Sequence, residues 1–244
     1  MDGIYILAND VVLDQAIALL NSIEANAGTN TDGQPYPVLV LPYDDRIDRL
    51  QLALKDYPNA RLFDDQASID RWEQAARDIW DHTPGYRDFL QLPPGTYHRL
   101  GMHRRFCALD GPFDRFIYLD GDTLVLSDLK PLFSALDNHE WVVYDFQHKD
   151  PSHVYNVTSP RLNQLFSPER LGRELFCAGM YGGRRGLFSP EKIAELLSYL
   201  KAGEADVLYM RAPDQSILNY WVMRGGIRAC NLAFELPKVA VTGC

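Results

Sequence analysis

Short apolar runs alternate along this chain with stretches that return an apolar residue every third or fourth position. Residues 3–8, 37–41, 60–63, 113–119 and 141–146 are compact apolar runs bounded by Asp, Gly, Pro or Asn, and they predict buried strands. Residues 12–23 put Val12, Ala16, Leu19, Leu20 and Ile23 on one helical face, with Asp10 placed to cap it. Residues 47–55 and 68–80 repeat the helical spacing, the second with a thin apolar face. Residues 81–95 hold three prolines and two glycines and predict a loop. Residues 96–109 predict a helix whose basic face carries His98, Arg99, His103, Arg104 and Arg105. A polar connection follows at 148–160, then an apolar segment at 176–181 that closes on Gly182-Gly183. Ser189 and Pro190 open the next helix as cap and first residue; Ile193, Leu196, Leu197 and Leu200 form its inner face and Gly203 ends it. Residues 213–223 predict a further helix with Ile217, Leu218, Trp221 and Val222 inward, and 227–230 a last strand.

There is no internal repeat and no linker between separate cores. The alternation predicts α/β architecture: a single domain over residues 1–244, with a mostly parallel central sheet and helices on both faces. Trp72, Trp80, Trp141 and Trp221 fall in apolar patterns and are expected to serve packing.

Composition narrows the partners. With 244 residues, 46% of them hydrophobic, folding buries roughly 70–75% of the unfolded chain's surface, so a sizeable core is available. The formal charge of −9 and the absence of a basic stripe argue against nucleic acid and against an anionic membrane surface. The four cysteines, Cys107, Cys177, Cys230 and Cys244, are widely spaced and form no CxxC pair, which argues against a disulfide scaffold or structural zinc and for a reducing compartment. The first residues lack a basic segment ahead of their short apolar run, and no stretch reaches the ~18 apolar residues of a membrane span. A cytoplasmic protein without a transmembrane segment is the expectation, and the sequon at Asn156 then carries no weight.

The candidate chemistry lies in Tyr118-Leu119-Asp120-Gly121-Asp122-Thr123. Side chains at i and i+2 of an extended chain share a face, so Asp120 and Asp122 project together where the strand ends, and Gly121 admits close approach to the backbone. Ligands of α/β sheets collect at the carboxyl ends of strands. Two adjacent carboxylates repel, and a hard divalent cation such as Mn²⁺ or Mg²⁺ relieves this by drawing oxygen ligands from both. An Asp-x-Asp pair also occurs in ordinary turns; the apolar strand ahead of this one supports the metal reading.

The segment Tyr118-Leu119-Asp120-Gly121-Asp122-Thr123-Leu124-Val125-Leu126-Ser127-Asp128-Leu129 resembles the metal-binding signature of the glycogenin/galactosyltransferase-like enzymes, glycosyltransferase family 8 and its relatives. Other segments are similar in the family's order: residues 4–10 with the helix that follows, Tyr97-His98-Arg99-Leu100, Phe176-Cys177-Ala178-Gly179, and Ala212-Pro213-Asp214-Gln215-Ser216-Ile217-Leu218-Asn219. The resemblance implies a GT-A fold, a nucleotide-sugar donor (UDP-linked as a rule), a sugar or protein acceptor, a divalent metal and retention at the anomeric carbon; self-association is left open. It implies that Asp120 and Asp122 are metal ligands, that Ala8, Asn9 and Asp10 lie beside the base, and that Arg99 faces the diphosphate or sugar. Asp214 and Gln215 would face the sugars, and Ala178 and Gly179 would offer backbone N–H groups, with Gly121 lining the donor site.

Two departures from the family pattern stand out. Cys177 replaces the family's Asn, and the late His-x-x-Gly-x-x-Lys-Pro-Trp segment has no counterpart, all six histidines preceding residue 154. Metal affinity would then lean on nucleotide phosphates and water. Two rival readings are a non-catalytic protein that keeps the fold and binds nucleotide without turnover, and a haloacid-dehalogenase-type phosphatase with Asp120 as nucleophile. The latter's motif ordinarily opens the chain and continues Asp-Gly-Thr, whereas this one begins at residue 120 and continues Asp-Thr-Leu.

Overall fold

The computed structural model describes residues 1–235. Seven strands among them form one sheet: β1 (Asp2–Ala8), β2 (Val38–Pro42), β3 (Ala60–Leu62), β4 (Arg115–Asp120), β5 (Trp141–Val143), β6 (Met180–Arg184) and β7 (Ala229–Asn231). Their order is β3-β2-β1-β4-β6-β5-β7. All pairings are parallel except those of β6, which runs antiparallel to both β4 and β5. A single α/β domain with a mostly parallel sheet is therefore what the chain forms.

Alternation along the strands divides the core. Tyr5 and Leu7 of β1 face a layer built from the helices Gln66–Asp81, Pro190–Lys201 and Pro213–Arg224. Ile4, Ile6 and Ala8 face the opposite layer, which holds the helices Leu13–Asn26, Asp48–Ala53 and Lys130–Ala135. All four tryptophans are at most 1% exposed. The supposedly thin face of residues 68–80 buries Ile69, Trp72, Ala75, Ala76, Ile79 and Trp80.

Local chemistry explains several boundaries. Ser189 Oγ accepts from the N–H of Lys192 with Pro190 in the first turn, and Gly203, at φ +110°, follows the end of that helix. Asp10, expected to cap the first long helix, caps a different one: its carboxylate accepts from the N–H groups of Leu50 (2.8 Å) and Arg49 (3.2 Å). Asn9 takes the role near the first helix, accepting from Val11 N–H at 3.0 Å. Within the stretch expected to be loop, Tyr86–Leu90 forms a short helix. The apolar segment at 176–181 runs into a strand at Met180–Arg184 that takes in Gly182 and Gly183. Its Gly183 sits between Phe116 and Trp141, where a Cβ would come within 2.9 Å of either ring, so glycine is what lets those rings close across the sheet.

Candidate active site

The strand order makes the site. From β1 the chain crosses to β2 on one side, while β4 lies on the other, so the sheet order reverses between β1 and β4. Crevices form at such reversals, outside the carboxyl ends of the strands. Here a crevice of about 260 Å³ opens at the ends of β1, β2 and β4, lined by Ala8, Asn9, Tyr43, Asp120, Gly121 and Asp122 together with Val11, Val12, Gln15, Arg46 and Met102. Asp120 pairs in register with Leu7, and a Cβ on Gly121 would stand 2.8 Å from the Leu7 carbonyl oxygen. Only the absence of a side chain lets the two strand ends approach this closely.

The two carboxylates of the Asp-x-Asp segment differ in environment. Asp122 is exposed, and among the described residues nothing hydrogen-bonds to its carboxylate. Asp120 keeps about a quarter of its side chain exposed, and its Oδ1 accepts from Arg105 Nη2 (2.8 Å) and from the Tyr118 hydroxyl (2.7 Å). Burial pushes the Asp120 carboxyl above the usual range, with Arg105 and Tyr118 pulling it back. The backbone is held as well: Asp120 N–H donates to Gly179 O (2.8 Å), and Thr123 Oγ1 donates to Asp120 O (2.7 Å).

Behind this pair lies Arg105, 1% exposed, which sequence reasoning had left among the basic-face residues. Its Nη1 donates to Ala178 O (2.7 Å) and lies 3.1 Å from Asp214 Oδ2, its Nε donates to Met102 O (3.2 Å), and its guanidinium sits 4.9 Å from the Tyr118 ring centre. Burial alone would lower its pKa; the carboxylates of Asp120 and Asp214 more than reverse this and hold it charged. Residues 100–109 form a 3-10 helix rather than the expected α-helix over 96–109. Positions i and i+3 eclipse in a 3-10 helix, so Arg105 stands over Met102, which lines the crevice. His103 on the same helix is also buried, accepting from Trp80 Nε1 at 3.1 Å, with its Nδ1 3.0 Å from Leu100 O. The basic face of the sequence is thus in large part an inner face, and the run Phe106-Cys107-Ala108-Leu109, all buried, was the available hint.

The remaining sequence-selected residues fall into three places. Ala8, Asn9, Gly121, Asp120 and Asp122 meet in the crevice. Asp214, Gln215, Ala178 and Gly179 form a second tier behind it. Asp214 is 5% exposed and faces Arg105; Gln215 Oε1 accepts from Ala178 N–H (3.1 Å), and its Nε2 donates to His153 O (3.0 Å). Cys177 N–H in the same segment donates to buried Asp145, whose carboxyl burial pushes up. Arg99 and Asp10 stand apart. The Arg99 side chain is exposed with no hydrogen bond or ion pair among the described residues, and its backbone is left-handed at φ +50°; the Asp10 carboxylate is spent on its helix cap.

The donor set suits a hard cation: Asp120 and Asp122 offer carboxylate oxygens at a crevice mouth, with no thiol or imidazole among the lining residues.

The fold is the α/β fold found in GT-A glycosyltransferases. Solved structures similar to this chain include apo mouse xyloside xylosyltransferase 1, at TM-score 0.65 and 14% identity over 95% of this chain and 85% of that one. The galactosyltransferase LgtC, solved with donor and acceptor sugar analogues, matches at TM-score 0.59 and 19% identity over 95% and 74%. The bifunctional glycosyltransferase WbbM matches at TM-score 0.58 and 20% identity over 96% of this chain and 39% of its own. No sequence-family description matches the chain, and no curated protein matches its sequence. Among the described residues no helix is long and apolar enough to cross a membrane.

Proposed function

We propose that this chain is a metal-dependent glycosyltransferase of the family 8 type, transferring a sugar from a UDP-linked donor to a sugar or protein acceptor with retention. The observation that carries the reading is the pairing of Asp120 and Asp122 at the end of β4, opening together into the crevice between β1 and β4. Its support from outside the chain is the likeness of the whole fold to glycosyltransferases, LgtC with bound donor and acceptor analogues among them.

Asp120 and Asp122 would hold Mn²⁺ or Mg²⁺, which when bound neutralises charge building on the departing nucleotide diphosphate. Ala8 and Asn9 would flank the base. Asp10 would contribute by fixing the Asp48–Ala53 helix beside them rather than by touching the base. Arg105 and Tyr118 orient Asp120 from behind, leaving the rest of the carboxylate to the crevice. Gln215 holds the Ala178 N–H directly and Asp214 acts through Arg105, which holds the Ala178 carbonyl, so the small backbone of that segment would come close to the donor sugar. Arg99, exposed and without an ion-pair partner, would close on the diphosphate, where a guanidinium binds oxygens in pairs.

Calorimetry with UDP and Mn²⁺ on the wild type and Asp122→Ala tests the reading, alongside hydrolysis of a panel of nucleotide sugars. The expectation is nucleotide binding that requires the metal and weakens at least tenfold in Asp122→Ala. Equal binding by both proteins rejects the metal role. Metal-dependent binding with neither hydrolysis nor transfer establishes the non-catalytic alternative, and phosphate release from p-nitrophenyl phosphate would favour the phosphatase.

A further inference from the structure

At the β7 edge of the sheet, away from the Asp-x-Asp crevice between β1 and β4, three residues of different chemistry converge. His139 lies in the turn leading to β5, Cys230 is the middle residue of β7, and Glu235 follows the 3-10 turn Leu232–Phe234. One ligand atom from each lies within 4.8 Å of the other two. They line a crevice of about 240 Å³ together with Glu174, Arg228 and Phe234. His139 lies 91 positions before Cys230 and 96 before Glu235, and the sheet brings them together: β5 and β7 pair in parallel, with Val142 opposite Cys230.

We propose that His139, Cys230 and Glu235 form a zinc site, with a fourth position open to the crevice. A thiolate, an imidazole and a carboxylate are ligands that zinc takes together, and a thiolate selects zinc over the magnesium or manganese that suits the Asp-x-Asp segment. Tetrahedral zinc with bonds of about 2.0–2.3 Å needs its ligand atoms roughly 3.5 Å apart, so the trio must contract by about 1 Å. Exposed Glu235 and half-buried His139 have room to turn inward, while Cys230, 7% exposed, stays fixed in the sheet. On binding, the Cys230 S–H proton leaves to solvent, and thiolate plus Glu235 carboxylate balance the two charges of the ion. Of the two further acids lining the crevice, Glu169 and Glu174, the buried one is already committed: Glu174 is paired with Arg170 (2.6 Å) and Arg228 (3.1 Å). An occupied site would tie β7, a sheet edge bonded on one side by β5, to the turn before β5 and to the segment that follows β7.

The test is a zinc titration of the chelator-stripped full chain against a chromophoric competitor, with cobalt as a spectroscopic probe. The proposal expects one zinc ion per chain, retained in Asp122→Asn and weakened at least tenfold in Cys230→Ser and in His139→Ala. It further expects a thiolate-to-cobalt charge-transfer absorption that Cys230→Ser abolishes. Glu235→Gln, at an exposed position, provides a variant that does not disturb the core and should weaken zinc several-fold. Zinc binding unchanged in Cys230→Ser, absence of the cobalt band, or loss of all binding in Asp122→Asn would each overturn the assignment. Because none of these residues belongs to the Asp-x-Asp crevice, the outcome is independent of the nucleotide experiment.

Discussion

Arg105 Nη2 donates to Asp120 Oδ1 at 2.8 Å, and through its other nitrogen the same guanidinium meets Ala178 O and Asp214. One buried cation therefore joins the end of β4, the segment before β6 and the start of the Pro213–Arg224 helix. Removing a buried charge and leaving its partners uncompensated costs about 3–5 kcal/mol. Arg105→Met should lose that much in urea unfolding at neutral pH. Arg105→Lys should lose less but still measurably, since one ammonium cannot reproduce the planar fork that reaches all three partners. A loss below about 1 kcal/mol for Arg105→Met would mean that the network does not hold the site together.

Gly121→Ala should act on the approach of two strands. The new Cβ would stand 2.8 Å from the Leu7 carbonyl oxygen, and the obstacle is backbone rather than a side chain able to swing away. Overpacking of this kind costs about 1–3 kcal/mol. Because the strain falls between Asp120 and Asp122, metal-dependent nucleotide affinity should fall together with the urea midpoint. Calorimetry and unfolding on the one variant check both, and a variant as stable as the wild type would show that β1 and β4 part without cost.

How much of this was legible in the sequence depended on distance along the chain. The run Phe116-Ile117-Tyr118-Leu119 before two acids announced both a buried strand and the carboxylate pair at its end, because every needed signal lay within seven residues. Arg105 was hidden because it reads with its basic neighbours as one polar face, whereas the 3-10 helix starts only after Arg99, which is exposed, and carries Arg105 into the interior. The partners that explain Arg105 lie 15, 73 and 109 positions onward, at Asp120, Ala178 and Asp214. Asp10 was assigned the nearer helix when its acceptors were spent on Leu50 and Arg49, 40 and 39 residues away. β6 was not legible as a strand because Gly182 and Gly183 carry no hydrophobic signal of their own; they serve the strand by making room for Ile117, Phe116 and Trp141. Its antiparallel direction follows from which neighbours it pairs with, which no local pattern encodes.

Arg99 separates strain from function. It holds a left-handed backbone at φ +50° with an exposed side chain, a conformation that costs a non-glycine residue roughly 1 kcal/mol. Arg99→Gly should therefore be as stable as the wild type or more stable by up to about 1 kcal/mol in urea. If the side chain meets the diphosphate, the same variant should bind UDP with Mn²⁺ at least tenfold more weakly. Unchanged affinity would assign Arg99 to the exposed surface and leave its backbone conformation as a feature of the turn.

His103 should make the scaffold behind the site sensitive to mild acid. It is fully buried, accepts from Trp80 Nε1 and has its Nδ1 3.0 Å from Leu100 O, so the neutral ring with hydrogen on Nδ1 satisfies both contacts. Burial lowers its pKa below the ordinary 6.5. The sign follows directly: below pH 6.5 the unfolded chain takes up a proton that the folded chain refuses. Stability is thus present in full above pH 6.5 and is lost as pH falls toward the lower folded value, at up to about 1.4 kcal/mol per pH unit. Half-buried His98 and His148, shifted the same way by burial, add to the slope, so the His103 share must be read by difference. His103→Gln should start about 1–2 kcal/mol less stable at pH 7.5, from the imperfectly replaced buried hydrogen bonds, but show a shallower decline between pH 6.5 and 5. Urea midpoints at half-unit intervals over that range measure it, and parallel curves for the two proteins would show that His103 takes up its proton without opening the fold.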